Sequence, residues 1–178
     1  MLTAPVPSAA ETRANATYAA LMWAMARPGI PRTLPEEGEA VIAETLLDRE
    51  CRVFCSDPDL AAQVVLTGAE IVPLARADHA FFGTLADTAP LREAALGTDL
   101  HPEEGATLVI RAAIGSGATL RLAGPGIETA LDLRLGGLPD GFWARRAECI
   151  RYPLGFDLFV IDGDRVIGIP RSTRVEVN

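Results

Sequence analysis

The stretch YPLGFDLFVIDGDRVIGIPRSTRVEV, Tyr152 to Val177, holds two apolar runs, Leu158–Ile161 and Val166–Ile169, on either side of Gly163-Asp164. Branched and aromatic side chains suit a pleated backbone, and a glycine-containing pair supplies the backbone freedom of a two-residue turn, so the spacing predicts a β-hairpin. The hairpin leaves its flanks unexplained. Pro153-Leu154-Gly155-Phe156-Asp157 on one side and Pro170-Arg171-Ser172-Thr173-Arg174 on the other join rigid backbone to a carboxylate, two guanidinium groups and two hydroxyls. That mixture suits a surface built for recognition.

Working back from the hairpin, Asp140 is placed to cap a helix running through Cys149, with Trp143, Ala147 and Ile150 on its buried side. Arg145, Arg146 and Arg151 stand near its end, where the helix dipole favours cations. Leu108 to Ile114 reads as one apolar strand, turned by Gly115-Ser116-Gly117 into Leu120-Arg121-Leu122. Leu85 to Leu96 has helical character, although Pro90 falls inside it. Ala80–Phe82, Glu70–Pro73 and Cys51–Cys55 read as short strands. Between the last two, Asp57 and Pro58 open a helix that ends at Gly68. A further short helix covers Ala40–Leu47, and Pro31 and Pro35 keep the segment before it extended. Ser8 and Glu11 have the spacing of a capping box. From there Tyr18, Leu21, Met22 and Met25 share one helix face until Pro28-Gly29, and that stripe is read as core or interface packing. Helices and strands alternate to Gly97 and strands dominate after it. The order predicts an α/β fold, one domain over residues 1–178, with a mixed sheet flanked by helices.

Length and composition narrow the function. A chain of 178 residues buries roughly 70% of its unfolded surface, enough for one substantial core. Nearly half the residues are apolar, which leaves room for a subunit interface. The formal charge is −8, so the field of the molecule opposes nucleic acid and anionic membranes, and neither is expected as a partner. All 16 basic residues are arginine. Without lysine there is no Schiff base to pyridoxal phosphate and no P-loop lysine, and no cofactor is expected. The N-terminal stretch lacks a basic region followed by an apolar one, and no long apolar run occurs, so a cytoplasmic protein is expected. Cys51, Cys55 and Cys149 are read as reduced thiols.

Each candidate for chemistry has a plainer reading beside it. Arg171 and Arg174, with Ser172 and Thr173, could hold a phosphate or phosphonate, since guanidinium forks match such oxygens. In a strand, Arg171 and Thr173 would share one face and Arg174 the other. The alternative is an Arg171–Asp157 ion pair on a solvated or interface strand. Asp157 itself is either a positioned carboxylate at a strand entrance or a turn and arginine partner. His79 and His101 belong to no spaced metal motif, and Glu103 and Glu104 decorate a loop, so no metal site is expected. Gly115-Ser116-Gly117 is no strand-to-helix elbow, and Gly124-Pro125-Gly126 is a corner between strands, not a phosphate loop. No catalytic residue emerges.

Three stretches carry a family resemblance. They are Tyr18 to Pro31, YAALMWAMARPGIP; Pro102 to Ile110, PEEGATLVI, with Leu120 to Ile127, RL-centred LRLAGPGI; and the C-terminal stretch quoted first. Together they resemble PhnH, the H subunit family of the bacterial carbon–phosphorus lyase system, which works in organophosphonate breakdown. The resemblance implies a fold similar to pyridoxal-phosphate-dependent transferases without the cofactor, and a homodimer built into an assembly with G, I and J subunits. With ATP, the family's complex replaces adenine by a phosphonate to give a ribose 1-phosphonate 5-triphosphate, which a separate radical iron–sulfur subunit cleaves. The chain is then expected to be inactive alone. Two other readings stay open: a small-molecule enzyme or sensor whose ligand site uses Asp157, Arg171, Thr173 and Arg174, and a structural homodimer with an unrelated partner.

Overall fold

The computed structural model describes residues 6–178; residues 1–5, where the stretch read for a leader begins, lie outside the described residues. In chain order the elements are α1 (Ala9–Ala26), β1 (Arg32–Thr33), α2 (Glu39–Leu46), β2 (Arg52–Cys55), α3 (Pro58–Leu66), β3 (Glu70–Ile71), β4 (His79–Gly83), α4 (Pro90–Glu93), β5 (Thr107–Arg111), β6 (Ala113–Ala123), β7 (Leu131–Gly136), α5 (Phe142–Cys149), β8 (Asp157–Asp162), β9 (Arg165–Ile169) and β10 (Arg174–Val177). Seven strands form a mixed sheet in the order β1-β9-β8-β5-β4-β2-β3, and three form an antiparallel sheet in the order β10-β6-β7. β3, β2, β4, β5 and β8 run parallel, while β9 returns antiparallel beside β8 through the expected turn, with Asp162 opposite Arg165.

The large sheet is covered on both faces, which is why its central strands are continuous apolar runs without alternation. Val53, Phe81, Val109, Phe159, Ile161 and Val166 face a layer of α1, α2 and α3. Leu108, Ile110, Leu158, Val160, Ile167 and Ile169 face the small sheet, α4 and α5. α1 begins at the capping box foreseen from the sequence: the Ser8 hydroxyl accepts from the Glu11 amide at 3.2 Å, and the Ser8 amide donates to Glu11 Oε2 at 2.7 Å. Its far end lies directly on β9 at Gly168, where a Cβ would stand 2.7 Å from the carbonyl carbon of Ala24. Glycine there is what lets helix and strand backbones meet.

Several expectations need correction. Leu85–Leu96 is not a helix but a single turn, Pro90–Glu93, preceded by a loop in which Asp87 accepts from the Ala89 amide. Proline cannot donate the interior hydrogen bond a longer helix needs, and so it starts the turn instead. The apolar run Leu108–Ile114 is not one strand: it breaks at Ala112, and its two parts serve different sheets. Gly115-Ser116-Gly117 is not a hairpin turn but a bulge inside β6, since Ile114 and Ala118 both pair with Leu135. Asp140 does not cap α5; Gly141 occupies that position without a side-chain bond. On α5 Phe142 and Arg146 are the buried residues, while of the expected apolar side Trp143 and Ile150 pack partly buried against the core and Ala147 is exposed. The stripe on α1, expected as core or interface packing, is core only at Leu21, while Tyr18 and Met22 are about half exposed, at 53% and 45%.

Candidate functional site

β4, β5 and β8 open with His79, Thr107 and Asp157, and these three residues are direct register partners across adjacent parallel strands. Partners in register point to the same face, so the row projects toward α1 at the amino edge of the sheet. A cavity of about 620 Å³ lies above it. Leu21, Met22 and Met25 of α1 form one wall, Phe159 adds an aromatic surface, and Pro125-Gly126 with Pro170 and Ser172 close the side nearest the small sheet. Carboxyl edges of parallel strands are the usual ligand position. Here that edge holds a smaller cavity of about 290 Å³, whose charged groups are already tied: Arg111 to Glu39, and Asp162 to Arg165 and the Ile114 amide.

Beside the amino-edge cavity stands a clamp built on Arg171. Its amide donates to Asp157 Oδ1 at 2.7 Å and its Nη2 to Oδ2 at 2.8 Å, with Nε shared between both oxygens at 3.2 Å. Nη1 donates to the Pro102 carbonyl at 2.7 Å and Nη2 to the Gly105 carbonyl at 3.0 Å. The side chain is 13% exposed. One N–H on Nη1 aside, every guanidinium donor is engaged within the chain. Gly105 is required here, because a Cβ would strike both the Gly155 carbonyl and the Arg171 guanidinium. Arg146 supports the same turn from below: it donates to the carbonyls of Thr173 at 3.1 Å and Pro170 at 2.8 Å, and burial pushes its guanidinium pKa down to about 10.

Of the four residues singled out as ligand contacts, Arg171, Thr173 and Arg174 line one small cavity of about 280 Å³ together with Arg146 and Trp143, while Asp157 lies on the other side of Arg171. Asp157 and Arg171 form the ion pair that was the alternative reading. Arg171 and Thr173 lie in the turn before β10, not on a strand face. Thr173 is 2% exposed, its hydroxyl enclosed without a partner, and Arg174 lies outside beside Glu176.

In the sequence His79 stands out only as a metal-ligand candidate without a motif, and Thr107 not at all. Burial pushes the His79 imidazole below its ordinary pKa, against the opposing pull of Asp78 and Asp48. Its Nδ1 is enclosed without a partner. His101 is fully exposed and raised by its hydrogen bond to Glu103. Each of His79 and Thr107 opens an apolar strand, which is the signal available in sequence; the register that aligns them across three strands is not.

Fold and site together define an α/β protein with an apolar cavity floored by a polar strand-end row. Among the described residues no group of three or more His, Cys, Asp or Glu is placed to hold a metal ion. The family model for the bacterial phosphonate metabolism protein PhnH matches residues 8–176, and the chain belongs to that family. It is 34% identical over 172 residues to HtxG of Stutzerimonas stutzeri, named as a candidate C-P lyase subunit, covering 93% of this chain and 87% of the relative. It is 31% identical over 183 residues to the alpha-D-ribose 1-methylphosphonate 5-triphosphate synthase subunit PhnH of Rhizobium meliloti (strain 1021), covering 92% and 90%.

Proposed function

We propose that this chain is the H-type subunit of a carbon–phosphorus lyase complex in organophosphonate catabolism. In that role it supports ATP-dependent formation of ribose 1-phosphonate 5-triphosphate, as a cytoplasmic homodimer held with G, I and J subunits and without activity alone. The observation that carries the reading is near end-to-end similarity to a named synthase subunit, 31% identity over 92% of the chain. An outward apolar surface on and after α1 supports an assembled state: Tyr18, Met22, Trp23 and Ile30 are each more than 40% exposed. Arg27 and Arg32 lie over the Trp23 ring at 5.4 and 4.8 Å from its centroid, giving the patch the aromatic and arginine character common at interfaces. The proposal includes a fold similar to that of pyridoxal-phosphate-dependent transferases; a chain without lysine would use that scaffold without the cofactor.

The test is co-expression with the G, I and J subunits, purification through a tag on this chain, and native mass spectrometry. A mixed complex containing all four subunits is expected. A lone chain or a lone homodimer under the same conditions would overturn the assembly.

A further inference from the structure

We propose that the cavity at the amino edge of the sheet binds a small, uncharged, planar heteroaromatic molecule, with Met22, Met25 and Phe159 supplying contact and His79, Thr107 and Ser172 supplying hydrogen bonds. At about 620 Å³ the cavity has the size of a small-ligand site. Three of its polar side chains are unspent. Among the described residues, the side chains of Thr107 and Ser172 have no hydrogen-bond partner within the chain, although both line the cavity and are only partly exposed. The same holds for His79, whose enclosed Nδ1 has nothing to donate to. An enclosed nitrogen without an acceptor is better left unprotonated, which puts the ring's proton on Nε2. Nε2 is neither enclosed nor bonded, so the imidazole offers a donor, while the two hydroxyls offer both donors and acceptors.

Charge decides the class of ligand. No arginine lines the cavity, and burial keeps the His79 ring uncharged at neutral pH. The single carboxylate, Asp157, is already met by Arg171. An anion would therefore lose its hydration with no cation to replace it, and a cation would compete with a guanidinium already bound. The wall favours a flat ring: thioether sulfur is polarizable and packs well against aromatic edges, and Phe159 adds a second π surface. This inference stands apart from the assembly reading, since it concerns the full chain alone and survives either result of the subunit test.

The chain has two histidines, so ring resonances in ¹H–¹³C NMR report the site and an exposed control separately. The full chain is titrated at pH 7.5 with benzimidazole, uncharged at that pH, and in parallel with inorganic phosphate. Benzimidazole is expected to shift His79 saturably while leaving His101 in place, and phosphate to leave His79 unmoved. Thr107→Val and Met25→Ala are each expected to weaken benzimidazole binding about fivefold to tenfold. Absence of a saturable His79 shift, equal shifts at both histidines, or a His79 response to phosphate alone would overturn the proposal. The comparison of the two probes on the unaltered chain decides it even where a variant fails to fold.

Discussion

Arg171→Met separates a structural arginine from a ligand-binding one. Methionine keeps the apolar stem and removes the guanidinium, so the loss falls on the polar contacts. Those contacts are the Asp157 carboxylate and the carbonyls of Pro102 and Gly105. Breaking a well-buried pair costs about 3–5 kcal/mol because the remaining charge is stranded. Asp157, however, keeps its bond to the Arg171 amide and is 26% exposed, so water recovers part of that loss. The two carbonyls add a fraction of the roughly 1–3 kcal/mol that an unsatisfied group costs. The expected destabilisation is about 2–4 kcal/mol, a large share of the ~5–15 kcal/mol available to a native domain. Urea unfolding would read it as a midpoint lowered by about 1–2 M, given slopes of about 1–3 kcal/mol/M. Asp157→Asn alone should cost less, since the amide oxygen still accepts, and the double variant should show coupling of about 1 kcal/mol or more. A midpoint unchanged in Arg171→Met, or strict additivity with Asp157→Asn, would refute the clamp and return Arg171 to the ligand reading.

Two further perturbations probe the site from other sides. The two histidines should titrate apart by NMR, His79 below and His101 above the ordinary value near 6.5; equal midpoints would contradict the burial of His79. The sign for stability follows: as pH falls below about 6.5 the unfolded chain takes up the His79 proton first, so this contribution is fully present above that pH and shrinks until the folded ring protonates. Gly168→Ala should push α1 off β9, since the new Cβ would lie 2.7 Å from the Ala24 backbone. A loss of about 2 kcal/mol or more is expected in urea unfolding, with a change at the His79 resonance because α1 walls its cavity; a variant as stable as the parent would refute the close approach.

Much of the fold was readable from local chemistry. The hairpin, the capping box at Ser8 and the Asp57-Pro58 helix start all depend on residues within a few positions of one another. The failures share a different cause. Leu108–Ile114 looks uniform in sequence, yet the chain changes sheets at Ala112, where the Ile114 amide is taken by Asp162, 48 residues away. β7 carries a local signal of its own: Leu131, Leu133 and Leu135 alternate with Asp132 and Arg134, the pattern of a strand with one face covered. Arg146 was placed by the helix dipole, a surface effect worth a few tenths to 1 kcal/mol. Two distant carbonyls claimed it for the interior instead.

The amino-edge site was legible only in pieces, and it draws on all three stretches that carry the family resemblance. α1 supplies Met22 and Met25, the segment 102–127 supplies Thr107 and Pro125-Gly126, and the C-terminal stretch supplies Asp157, Phe159 and Ser172. Arg171 then joins two of these stretches physically, reaching from the C-terminal turn to the carbonyls of Pro102 and Gly105. The arginine that looked most like a ligand contact in sequence is thus the residue that holds the cavity's margin in shape, while the groups left free to meet a ligand are the quieter ones. His79 and Thr107 each open an ordinary strand, and only the parallel register of β4, β5 and β8 sets them in one row with Asp157. A charged side chain is conspicuous in a sequence because its burial is expensive, and for the same reason the fold tends to satisfy it internally. In this chain Arg171 and Arg146 are satisfied by the fold and frame the turn beside the cavity, and among the described residues the cavity-lining polar side chains left without partners are those of His79, Thr107 and Ser172.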